Sequence, residues 1–266
     1  FYQTFADELE LAARNIRDRH VNLRIEFAQS GEPAELAALL MGMKGRVQAV
    51  AATGPDHHDV TAAVEALKIK GIPTFSLLSD FAQGVREAYL GVNSRKVGRT
   101  AAWMISRLAR SKGKVLLLLG GHRFHGHSLR ETGFRSYMRE YAPEFEVMDA
   151  LITLETRRVT YELVMDSIAK HRDLVGIYCV GGGMEGVIEA LQHEKRQEPI
   201  VCLVNELTPV SRQALLEGSI SGVFQTPLRE LCADLIATMV HTIEHGMAET
   251  PGQRFLPAHL WVPESL

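Results

Sequence analysis

Cysteine is scarce in this chain. Cys179, Cys202 and Cys232 are an odd three, and the first two lie in apolar runs where a thiol behaves as a small hydrophobe. That excludes a disulfide framework and leads us to expect a reducing, cytoplasmic compartment. No apolar run approaches the roughly 18 residues of a membrane span, and no signal-peptide pattern is visible, so a membrane is not an expected partner. Because Phe1 is not a methionine and already leads into a helix, we expect an N-terminal segment to precede it. Charge of one sign is also missing. With 29 Lys and Arg against 32 Asp and Glu, a formal net charge of −3 gives these residues no electrostatic reason to hold a polyanion. Arg outnumbers Lys 21 to 8, but the arginines are scattered. Absent too are a Gly-x-Ser-x-Gly elbow, a Walker loop, a His-Glu-x-x-His pair and any acid pair of diagnostic spacing. No catalytic residue, metal or cofactor is therefore named, and no enzyme is expected.

What is present is alternation. A chain of 266 residues, 46% hydrophobic and 23% charged, has the composition of a globular protein of one large or two medium domains. Phe5 to Arg19 carries Phe5, Leu9, Ala12, Ala13 and Ile16 on one helical face, and Val21 to Ala28 alternates like a strand. The unit recurs as helix 34–43, strand 47–52, helix 58–69 and strand 73–78, then strand 88–92 and helix 97–110. A new series starts after Gly113, with strand 115–119, helix 128–140, strand 145–152, helix 159–170, strand 174–180, helix 184–193, strand 200–204, a short helix ended by Gly218, strand 220–225 and helix 228–245. Short Gly or Pro connections between alternating helices and strands imply parallel sheets covered on both faces. The expected fold is α/β, two doubly wound parallel-sheet lobes joined by a multi-strand hinge. Their expected bounds are 1–112 with 226–250, and 113–225 with 251–266.

Two motifs invite sharper chemistry. Gly181-Gly182-Gly183-Met184-Glu185-Gly186 satisfies G-x-G-x-x-G between a strand and a helix, with Glu206 about twenty residues on. Its late position argues against a dinucleotide site, so we read it as backbone packing and cleft access. His122, His125 and His127 suggest a metal site, but their spacing fits neither a helical i,i+4 pair nor a zinc pattern, so loop histidines at a ligand are the better expectation.

In an open parallel sheet, ligands sit outside the carboxyl ends of the strands, which directs attention to Asn205, Glu206 and Gln225. Leu90-Gly91-Val92-Asn93 followed by Gly98-Arg99-Thr100-Ala101-Ala102, Arg130-Glu131-Thr132-Gly133-Phe134, and Gly218-Ser219-Ile220 through Gln225 are similar to motifs of the lac-repressor (LacI/GalR) family. The whole chain resembles that family's effector-binding core, a type I periplasmic-binding-protein fold. The resemblance implies two lobes closing on a small polar ligand, a monosaccharide or polyol. Contacts would come from Phe1, Tyr2 and Asp80 in the first lobe, Arg130, Asn205 or Glu206 in the second, and Gln225 at the hinge, with His125, His127 and Gly181 as further candidates. The chain departs from the family's Asn-Asp pair in having Val180-Gly181-Gly182. Two functions follow. One is the sugar-sensing core of a LacI-type transcription regulator, a homodimer reaching operator DNA through an absent N-terminal helix-turn-helix head; the unpaired cysteines and Arg-rich surface favour it. The alternative is the solute-binding component of a bacterial sugar ABC transporter. A nicotinamide-dependent dehydrogenase is a distant third.

Overall fold

A computed structural model describes every residue except 18, 122 and 195–197. In chain order its elements are α1 (Tyr2–Arg14), α2 (Pro33–Gly42), β1 (Val50–Ala52), α3 (His58–Ile69), β2 (Thr74–Leu77), β3 (Ala88–Val92), α4 (Ser94–Leu108), β4 (Lys114–Leu119), α5 (His125–Tyr141), β5 (Glu146–Val147) and β6 (Leu151–Ile152). They continue as α6 (Arg157–Lys170), β7 (Leu174–Cys179), α7 (Met184–His193), β8 (Val201–Asn205), α8 (Pro209–Leu216), β9 (Gly222–Gln225), α9 (Leu228–His245), β10 (Gly252–Leu256) and β11 (His259–Trp261), ending in a 3-10 turn at Pro263–Ser265.

The contacts divide the chain into two compact units, the first made of 1–92, 123–125 and 226–257, the second of 93–122, 126–225 and 258–266. In the first, the strands run β1-β2-β3-β10, all parallel. Phe75, Leu77 and Leu90 are buried against α1 and α9 through Phe5, Leu231 and Leu235, and on the other side α2 and α3 bury Leu40, Val64 and Leu67 with Phe81. In the second, the order is β11-β9-β8-β7-β4-β5, with β6 also on β4; every pair is parallel except β11 with β9. Its central strand Val115–Leu119 is buried outright, as expected of an apolar run with helices on both faces.

The contact units do not coincide with the expected lobe bounds. The division falls at Val92 instead of residue 112, because α4 packs with the second unit's β8, and 252–256 join the first unit by pairing with β3. Residues 21–28 are a second correction. Burial does alternate through Val21, Leu23 and Ile25, and Val21 and Leu23 lie on the first unit's core, yet no ladder forms, so the segment is not a strand. The run expected at 145–152 is broken into β5 and β6, which pair with opposite ends of β4.

Candidate functional site

Helix α5 places the most informative side chain, and its seat is built by two glycines. A Cβ on Gly98 of α4 would stand 1.9 Å from the carbonyl oxygen of Arg130, and one on Gly133 of α5 would stand 2.1 Å from that of Arg95. The two helices thus cross backbone to backbone, with Phe134 buried and stacked on Tyr178 at 5.6 Å. One turn before that contact, Arg130 donates from Nη1 to the carbonyl of Val180 at 2.8 Å. Asn205, at the end of β8 and 5% exposed, donates from Nδ2 to Cys179 O at 2.8 Å and to the same Val180 carbonyl at 3.1 Å. Those two carbonyls fix the amide's orientation. Arg130 Nε and Asn205 Oδ1 are buried with no hydrogen-bond partner among the described residues, a donor and an acceptor left open beside one carbonyl.

The glycine turn after β7 is filled by the protein's own side chains. A Cβ on Gly181 would lie 2.5 Å from His127 Cε1, and one on Gly182 would lie 2.9 Å from Glu155 Cβ. The Gly182 N–H donates to Glu155 Oε1 at 3.2 Å. A carboxylate on the turn's amide opposes a pyrophosphate there, which is the physical reason the dinucleotide pattern carries no such site. His127 is nearly buried, and its pKa is pushed down to about 4, first by desolvation and then by the Arg130 charge. At neutral pH it is therefore uncharged.

Backbone strain gathers at the same end of both sheets. Among the described residues, the non-glycine positions with positive φ are Leu78 and Ala82 after β2, Leu154 and Glu155 after β6, and Glu206 after β8. Such conformations cost of order 1 kcal/mol or more each and cluster where a site holds them. Glu206 takes its strained turn while its N–H bonds Phe224 O at 2.7 Å.

The other expected contacts have these surroundings. Asp80 is buried and engages both oxygens internally, with Arg86 Nη2 at 2.7 Å and Ser76 Oγ at 2.6 Å, so it anchors its loop. Gln225 accepts from Trp261 Nε1 at 2.6 Å. Phe1 and Tyr2 begin α1 as an exposed edge-to-face pair 5.2 Å apart. His125 opens α5 and His127 lies in its first turn, so neither belongs to a loop; His122 is outside the described residues. Glu155 is the residue the sequence did not mark. Among the described residues, clustered potential metal ligands occur at half-buried His57 and exposed His58 and Asp59, where His57 caps α3 by accepting from Asp59 N.

A family model for the periplasmic binding protein domain matches residues 1–245. The chain belongs to that family. It has the α/β type I periplasmic-binding-protein fold and is a binding protein, not an enzyme. No protein of curated function matches the sequence. Solved structures do match. An ABC transporter solute-binding protein from Burkholderia graminis C4D1M, in complex with D-arabinose, has a TM-score of 0.88 at 18% identity over 98% of this chain and 91% of its own. A glucose-galactose binding protein from Geobacillus stearothermophilus has a TM-score of 0.89 at 16% identity over 100% and 93%. An ABC transporter solute-binding protein from Bacillus halodurans C-125 with bound myo-inositol has a TM-score of 0.86 at 18% identity over 98% and 90%.

These comparisons overturn the expected regulator core and its cytoplasmic location; the expected operator-DNA partner and homodimer find no support in them. The physical grounds for the regulator reading also give way. All three free cysteines are buried, and burial pushes the Cys179 and Cys232 thiols up to about 12 and raises Cys202 as well. Thiols so protected from ionisation are inert in an oxidising compartment too. Many of the arginines are paired with acids, as Arg99 with Glu140, Arg135 with Glu131, Arg157 with Glu189 and Arg254 with Asp234.

Proposed function

We propose that this chain is the extracytoplasmic solute-binding component of a sugar ABC transporter, that its two units are the two lobes of that binding protein, and that its ligand is a neutral monosaccharide or cyclic polyol. The observation that carries the reading is the open pair in the second unit, Arg130 Nε and Asn205 Oδ1. A buried donor and a buried acceptor left unpaired are costly, and a hydroxyl group satisfies both because it accepts and donates at once. The ligands held by the structural relatives, D-arabinose and myo-inositol, are of this class. Phe1 and Tyr2 offer the first unit an exposed aromatic surface of the kind that packs on a sugar's C–H face.

Calorimetric titration with D-arabinose, D-glucose, D-galactose and myo-inositol tests the site directly. Arg130→Ala should weaken the best of these roughly ten- to a hundredfold, the equivalent of about 1.5–3 kcal/mol for a hydrogen bond to a charged group. Asn205→Ala should weaken it as well. Unchanged affinity in both variants, with wild type binding, removes these two residues from the site.

A further inference from the structure

We propose that Glu155 is a ligand-reading residue of the second unit's site, accepting a hydrogen bond from a hydroxyl of a neutral sugar or polyol and excluding the corresponding sugar acids. The inference rests on the solute-binding reading and names which class of solute the site takes. Glu155 is held by three devices. Its backbone is left-handed at φ 56°, directly after Leu154 at φ 53°; its N–H donates to Thr153 Oγ1 at 3.2 Å; and its Oε1 accepts from Gly182 N at 3.2 Å. The side chain occupies space that any residue other than glycine would take, since a Cβ on Gly120 would stand 2.5 Å from Glu155 Oε1 and one on Gly181 would stand 3.1 Å from it. One oxygen is thus anchored, while Oε2 has no hydrogen bond among the described residues and the side chain remains 44% exposed.

The surrounding charge sets what this oxygen can accept. His127 Nε2 lies 3.8 Å from Oε1, and being neutral it does not offset the carboxylate. The Arg130 charge acts on His127, and Glu155 and Glu185 both act on the Cys179 thiol at the end of β7. A carboxylate or phosphate on the ligand would be repelled by the open Glu155 oxygen in a partly desolvated place, whereas a hydroxyl donates to Glu155 and accepts from Arg130. Glutamine at 155 keeps a carbonyl oxygen for the Gly182 N–H and removes only the charge.

The experiment is calorimetry with two matched pairs, D-glucose with D-glucuronate and D-galactose with D-galacturonate, on wild type, Glu155→Gln and Arg130→Ala. Wild type should prefer the neutral member, and Glu155→Gln should lose about tenfold for the neutral sugar and narrow the neutral-over-acid ratio by tenfold or more. In wild type the same ratio should shrink in 0.5 M salt, a readout independent of whether the variant folds. An unchanged ratio in Glu155→Gln, or salt independence in wild type, overturns the inference while leaving the solute-binding reading intact. Wild type that binds neither member of either pair, together with no response to D-arabinose or myo-inositol, overturns that reading and the inference with it.

Discussion

His127 sits beside a cation and out of water, and both push the same way. Its pKa of about 4, against an ordinary 6.5, makes it a group whose neutral form the fold requires. As pH falls below 6.5 the unfolded chain takes up a proton that the folded one refuses, so stability is complete above that value and is lost progressively down to about pH 4. Between pH 7.5 and pH 5 the loss from this residue should be about 2 kcal/mol. Urea unfolding at the two pH values should show that His127→Gln loses less than wild type by that amount, and equal losses would contradict the assignment. A buried ion pair makes the opposite kind of prediction. Arg86 is 2% exposed and also donates to Gly252 O at 2.7 Å, so Arg86→Ala strands the Asp80 carboxylate and frees the start of β10. It should cost about 3–5 kcal/mol in chemical denaturation, whereas a loss under 1 kcal/mol would mean that Asp80 is not held as described.

At the scale of elements, the motifs most visible in the sequence are explained by one helix crossing. Gly98 and Gly133 each face the other helix's backbone, so Gly-Arg-Thr-Ala-Ala and Arg-x-x-Gly-Phe are two halves of a single contact that aims Arg130 at the ends of β7 and β8. Gly98→Ala should force the helices apart and cost about 1–3 kcal/mol, read by thermal or urea unfolding, with sugar affinity falling as Arg130 is displaced. A fully stable Gly98→Ala would contradict the crossing. Helices and central strands are legible because their periodicity is local; α3, α7 and α9 span the residues that the apolar pattern marks. The pairing of strands is not local. Val21, Leu23 and Ile25 alternate correctly but find no partner, while β10, largely exposed, pairs with β3 without alternation to announce it. Glu155 is illegible for the same reason, because its place depends on two left-handed residues and on glycines at 120, 181 and 182.

At the scale of the molecule, family membership follows from a match over residues 1–245, and the proposed ligand class from the open donor and acceptor at Arg130 and Asn205. Cysteine count and arginine excess pointed to the wrong compartment because burial and pairing, both tertiary, decide what those residues do. The most direct measurement is the unfolding temperature of the wild-type protein in the presence of neutral pentoses, hexoses and inositols, with NADH as the contrasting ligand. A ligand that binds only the folded state stabilises it by about 2.7 kcal/mol at a hundred times its dissociation constant. At least one neutral sugar or polyol should therefore raise the transition by several degrees, saturably, and NADH should not. No shift with any of them at millimolar concentration, or a saturable shift with NADH, would contradict the account.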